Sequence, residues 1–100
     1  MENNTPLNAA EGTDIAYHAV TQSTVIAIQD AVENLRNINT VAATMIGAAS
    51  AQAIEDPACV DQMQKVIEMA QKITEDAIEN LRKVGIVSNE MLQAFPSENI

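Results

Sequence analysis

The sequence has no tryptophan, one tyrosine (Tyr17) and one phenylalanine (Phe95) in 100 residues. The side chains that normally supply the largest buried areas are therefore almost missing. Such a chain has little bulk for a private core, and its length holds a single small domain. Cysteine occurs once, at Cys59, which excludes an intrachain disulfide and points to a reducing compartment. Bases are scarce: five Lys and Arg stand against fourteen Asp and Glu, a formal charge of -9. That balance excludes nucleic acid as a partner, because phosphate recognition demands a basic footprint. At 47% apolar residues the chain is too apolar for a disordered acidic tail. It has no continuous apolar run of about 20 residues, so it is not an ordinary transmembrane protein. The opening MENNTP lacks the basic and apolar regions of a signal peptide, and the expected location is a bacterial-type cytoplasm.

What the sequence does contain is helical pattern. Residues 1–12 are polar, carry Pro6 and Gly12, and read as a flexible arm. Thr13 or Asp14 supplies an N-cap, since either side chain can accept from a first-turn amide. From Ile15 to Ile54 there is no proline, and Gly47 is the only glycine. Ile28, Val32, Leu35, Ala42, Ile46, Ala49 and Ala53 recur at helical spacing, with Asn39 as the polar gap, and form the candidate assembly face. A second face runs through Ala27, Ala31, Leu35, Ile38, Val41, Met45 and Ala48. Two apolar faces on one helix imply more than one neighbour. Residues 37–54 carry no charge and are mostly small, which suits close helix approach. Asn37–Thr40 is a weak point where the helix can bend or break, because Asn and Thr compete for backbone hydrogen bonds.

Asp56-Pro57 reads as a helix restart, with Asp as N-cap and Pro at the first helical position. The second helix carries Val60, Met63, Val66, Ile67, Ala70, Ile73, Ala77, Leu81 and Val84 at helical spacing. Gly85 is its expected C-cap. Residues 86–95 read as a last short helix capped by Ser88, followed by a tail over 96–100. Exposed ion pairs are expected at Asp61/Lys65, Glu68/Lys72 and Glu79/Lys83, each four apart with the acid first. The fold class is thus all-α: a long helical hairpin of two long helices plus a short C-terminal helix, one assembly domain over residues 13–95. One internal echo stands out. Residues 30–38 (DAVENLRNI) and 76–84 (DAIENLRKV) share six of nine positions, one copy on each helix. This is either chance similarity between amphipathic helices or a pair of equivalent surfaces offered to a repeating neighbour.

Chemistry is hard to find. A Cys–His nucleophile pair would need His18 and Cys59 to meet, yet a straight helix puts them roughly 60 Å apart. His18 reads instead as a half-buried or interface polar residue, and Cys59 as a small buried filler. No His/Cys pair has metal-ligand spacing, no loop resembles a calcium loop, and no Gly-rich phosphate loop is present. Asp14 and His18 share a face as cap and neighbour. No catalytic residue, cofactor or metal is expected, and the chain is not read as an enzyme. The carboxylates Glu55, Asp56, Asp61, Glu68, Glu75, Asp76 and Glu79 crowd the turn and second helix. In a monomer they form a solvated face. In a polymer, like charges brought together would raise carboxylate pKa values, which makes these seven the candidate pH sensors.

The segment Ala19-Val20-Thr21-Gln22-Ser23-Thr24-Val25-Ile26, followed by the Ala-rich, charge-free helix through Gly47-Ala48-Ala49-Ser50-Ala51-Gln52-Ala53, resembles the Reb family of R-body (refractile body) proteins. The likeness covers roughly residues 13–56, and the second helix departs from it in being more charged. The resemblance implies a structural subunit of a protein ribbon coiled in the bacterial cytoplasm as an inclusion, in endosymbionts that carry a killing trait. It implies that the coil extends on acidification, ruptures membranes and delivers toxin, without cofactor or fuel. Its partners would be copies of itself and sister subunits, with a target membrane touched only by the assembled polymer. The alternative reading from the residues is a helical adaptor that pairs with one partner through its Ala-rich face. A membrane-active helper using residues 37–54 is disfavoured by the polar Asn37, Asn39, Thr40, Thr44, Ser50 and Gln52.

Overall fold

The computed structural model describes residues 9–95, and every regular element among them is helical. Helix α1 spans Ala9–Glu55, a 3-10 turn spans Pro57–Cys59, and helix α2 spans Val60–Gln93. The chain is an extended all-α hairpin measuring 79 × 25 × 16 Å, two helices wide and one helix deep. A 47-residue helix is about 70 Å long at 1.5 Å per residue, so α1 alone sets the long dimension.

The reversal at Asp56 follows from local chemistry. The Asp56 carboxylate accepts from the Ala58 amide at 3.2 Å, and Pro57 occupies the first position of the turn, where no amide is needed. The Cys59 amide donates back to the Asp56 carbonyl at 3.0 Å and tightens the corner. The far end is closed by Tyr17 and Phe95, whose rings meet edge to face at 5.6 Å. Those two points fix the antiparallel register. It puts Thr24 beside Ser88, Leu35 level with Ala77, and Ala42 level with Ala70.

The seam between the helices is built from small side chains. Among the described residues the buried apolar ones are Ala31, Ala42 and Ala49 on α1 with Ala70 and Ala77 on α2, joined by the buried hydroxyls of Thr24 and Ser88. On α1 positions 24, 28, 31, 35, 38, 42, 45 and 49 alternate by four and three, a heptad period, and all but Ile28 are buried or half-buried. On α2 the inward positions 70, 73, 77, 81, 84, 88 and 92 follow an eleven-residue period, which Phe95 continues just past the helix end. Larger side chains such as Leu35, Ile38, Met45, Ile73, Leu81 and Leu92 flank the seam half-buried. Two threonine hydroxyls at the seam bond within their own helix: Thr24 donates to the Thr21 carbonyl at 2.8 Å and Thr74 to the Ala70 carbonyl at 3.0 Å.

Several expectations change. α1 starts at Ala9, ahead of the expected cap at Thr13 or Asp14, so Glu11 and Gly12 are helical; residues 1–8 of the arm and the 96–100 tail lie outside the described residues. There is no break at Asn37–Thr40. Thr40 donates to the Arg36 carbonyl at 3.1 Å and Thr44 to the Thr40 carbonyl at 2.9 Å, so the hydroxyls bond one turn back within a helix that stays continuous. Gly85 does not cap α2, and the separate short C-terminal helix does not exist. α2 runs through to Gln93 because Ser88, Leu92 and Phe95 continue its inward stripe past the glycine.

Candidate assembly surfaces

The face proposed for assembly lies mainly against α2. Ala42 and Ala49 are buried in the seam, Val32, Leu35, Ile46 and Ala53 are half-buried beside it, and Ile28 alone is exposed, at 37%. The reason is size: Ala on both helices lets the backbones close, and the most Ala-rich stripe becomes the intramolecular one. The outward surface is instead carried by residues that stripe omits. Among the described residues twelve large apolar side chains are exposed, among them Val25, Ile26, Val41, Ile54, Ile78 and Ile86, with Ile54 at 80%. The sequence signal for them is the failure of α1 to segregate polar from apolar residues, in contrast to the well-segregated α2.

Two shallow hollows mark this surface. One, of about 390 Å³, lies between the helices near the open end, where Ser23, Thr24 and Ala27 face Val84, Val87 and Met91. The other, of about 480 Å³, lies on α1 alone between His18, Thr21, Gln22, Val25 and Ile26.

The seven candidate carboxylates stay on the outside of the turn and of α2. Glu55, Asp56, Asp61, Glu68, Glu75 and Asp76 are exposed, and Glu79 is half-buried. Their pairing differs from the expected pattern of an acid four residues ahead of a base. Lys72 turns forward to Asp76 at 2.9 Å, away from Glu68. Glu79 is taken by Arg82, whose Nε donates at 3.0 Å and whose second guanidinium nitrogen also bonds the carboxylate. The Arg82 bond holds the Glu79 carboxyl below the usual carboxylate range, and the Asp76 bond raises the Lys72 ammonium above its usual range. In a single hairpin, Glu79 thus shifts in the direction opposite to that of an acid sensor near neutrality.

His18 and Cys59 sit at opposite ends of the rod and cannot meet. His18 is exposed, not half-buried, with Nε2 3.6 Å from Asp14. Cys59 is half-buried at the corner, its thiol pointing to the Asp56 carbonyl at 3.0 Å. No group of three or more metal-ligating side chains occurs among the described residues, and no helix there is long and apolar enough to cross a membrane. The two echoed segments fall across from one another. Ala31 and Ala77 are both buried, and Leu35 with Leu81 and Ile38 with Val84 are half-buried alike, whereas Val32 is half-buried and Ile78 exposed, so the echo is matched along the seam and not outside it. No protein-family model, no curated protein and no solved structure matches this chain.

Proposed function

We propose that the chain is a structural subunit that completes its core by packing against further copies of itself and sister subunits, in a coiled ribbon of the R-body kind. One observation carries the reading: among the described residues the buried apolar side chains are five alanines, while twelve large apolar side chains remain exposed on a hairpin only one helix deep. Burying a large aliphatic side chain is worth about 1.5–3 kcal/mol, so that exposed set is a strong drive toward assembly. The adaptor reading is less favoured, because the Ala-rich face it would use is occupied by α2.

Electron microscopy of the purified full chain, alone and with sister subunits, tests the proposal. Ribbons or coils at neutral pH are expected, with extension on acidification. A discrete monomer or dimer by light scattering, with no filament under any of these conditions, overturns it. Crowding of carboxylates between copies is the acid trigger in this reading. Glu75→Gln and Glu79→Gln then raise the pH at which extension begins, and an unchanged threshold removes both residues from the trigger.

A further inference from the structure

The outer edges of the two helices, turned away from the seam, match one another at equal height along the rod. The register set by Tyr17 against Phe95 places residues 26–36 of α1 level with residues 76–86 of α2. At 100° per residue the outer edge of α1 there carries Ile26, Asp30, Glu33 and Arg36, all exposed. The outer edge of α2 at those levels carries Ile86, Lys83, Arg82 and Glu79, with Glu75 one residue further on. A hairpin displaced sideways by its own width brings these edges together with heights unchanged. Ile26, 56% exposed, then faces Ile86, 44% exposed. Asp30 faces Lys83 on one flank of the contact, and Arg36 faces Glu75 on the other. The one like-charge pair, Glu33 and Glu79, falls between them, where Arg82 already bonds Glu79.

We propose that the α1 edge at Asp30 and Arg36 docks onto the α2 edge at Lys83 and Glu75 of a second copy of this chain, side by side and in register. The proposal rests on the self-assembly reading and names the contact that propagates it. Charge complementarity selects this pairing over a two-fold contact of α1 with α1. That contact would place Asp30 and Arg36 on opposite flanks and set Ile26 against Thr40. Further along, α1 offers the small, uncharged Thr40, Thr44, Gly47 and Ala51, and α2 offers alternating acids and bases, so no second like-charge pair arises there. The interaction is heterologous: every copy keeps one edge of each kind open, and the contact repeats without closing.

The test uses the full chain and charge exchange. Sedimentation velocity and light scattering measure the concentration at which assembly begins for Arg36→Glu, for Glu75→Arg and for the two together. Each single change is expected to raise that concentration roughly tenfold, and the exchange to return it to within about threefold of wild type. Circular dichroism checks that every variant keeps the helical hairpin. Asp30→Lys, Lys83→Asp and their combination form an independent second set. Singles that assemble like wild type, or exchanges that fail to rescue in both sets while ribbons still form, overturn this contact and leave self-assembly standing. A wild-type chain that never assembles overturns both.

Discussion

Replacing Ala70 by Leu tests the packing of the hairpin most directly. Ala70 has no exposed surface and sits level with Ala42, itself 5% exposed, at the middle of the seam. Leucine adds three carbons. If the helices could spread to take them, burial at about 0.8 kcal/mol per methylene would stabilise the chain by about 2 kcal/mol. If the spacing is held by the small residues at the other levels, Thr24, Ala31, Ala49, Ala77 and Ser88, the extra volume forces poor rotamers and backbone shifts. That costs about 1–3 kcal/mol. Helix propensity differs little between Ala and Leu and does not decide the sign. The structure requires the second outcome. For a domain of this size the change lowers Tm by roughly 5–20 °C. Thermal and urea unfolding followed by far-ultraviolet circular dichroism measures it, at one fixed protein concentration because assembly adds stability by mass action. Ala43→Leu, on an exposed side of α1 away from both the seam and the docking edge, is the control and shifts stability by less than about 0.5 kcal/mol. An Ala70→Leu chain that melts above wild type refutes the close-packed seam.

Further outcomes follow from the two ends and the charged face. Asp56→Ala removes the acceptor for the Ala58 amide and destabilises the hairpin by about 0.5–2 kcal/mol in urea unfolding, whereas Asp56→Asn keeps most of the stability. Phe95→Ala removes the ring that meets Tyr17. Amide hydrogen exchange then speeds up over residues 15–24 and 86–93 and stays unchanged near Ala42 and Ala70; uniform acceleration would mean that the open end governs global unfolding. The depressed Glu79 carboxyl contributes stability above the usual glutamate range, and that contribution is lost as pH falls through its folded value. The gap in urea midpoint between wild type and Glu79→Gln is therefore open at neutral pH and closes in acid. The raised Lys72 ammonium gives the opposite case: the gap between wild type and Lys72→Met is present below the usual lysine range and closes as pH rises through the folded value.

Much of the hairpin is legible in the residues alone. The Asp56-Pro57 corner is a local matter of one carboxylate, one amide and a ring that needs no hydrogen bond, so it could be read without any partner. The apolar spacing of α2 is equally local up to Val84. The pattern was less informative where the outcome depends on the other helix. Gly85 looks like a stop, yet Ser88, Leu92 and Phe95 find α1 to pack on, and the helix runs on through the glycine. The hydroxyls near Thr40 look like competitors for the backbone, yet on a helix already held in place they bond one turn back.

The sequence by itself determined the helical class, the place of the reversal, the shortage of bulk for a private core and the excess of acid. Each of these follows from composition, local capping chemistry or periodicity, and none needs a distant contact. Only the tertiary structure decided which apolar stripe is used up inside the hairpin and which is left outside. α1 carries apolar residues around much of its circumference, so its pattern fits several orientations. The choice falls to the stripe whose alanines meet the alanines of α2, because those backbones can approach most closely. That choice turns Val25, Ile26 and Ile54 outward and leaves the charged edges of the two helices facing away from each other, open to a further copy.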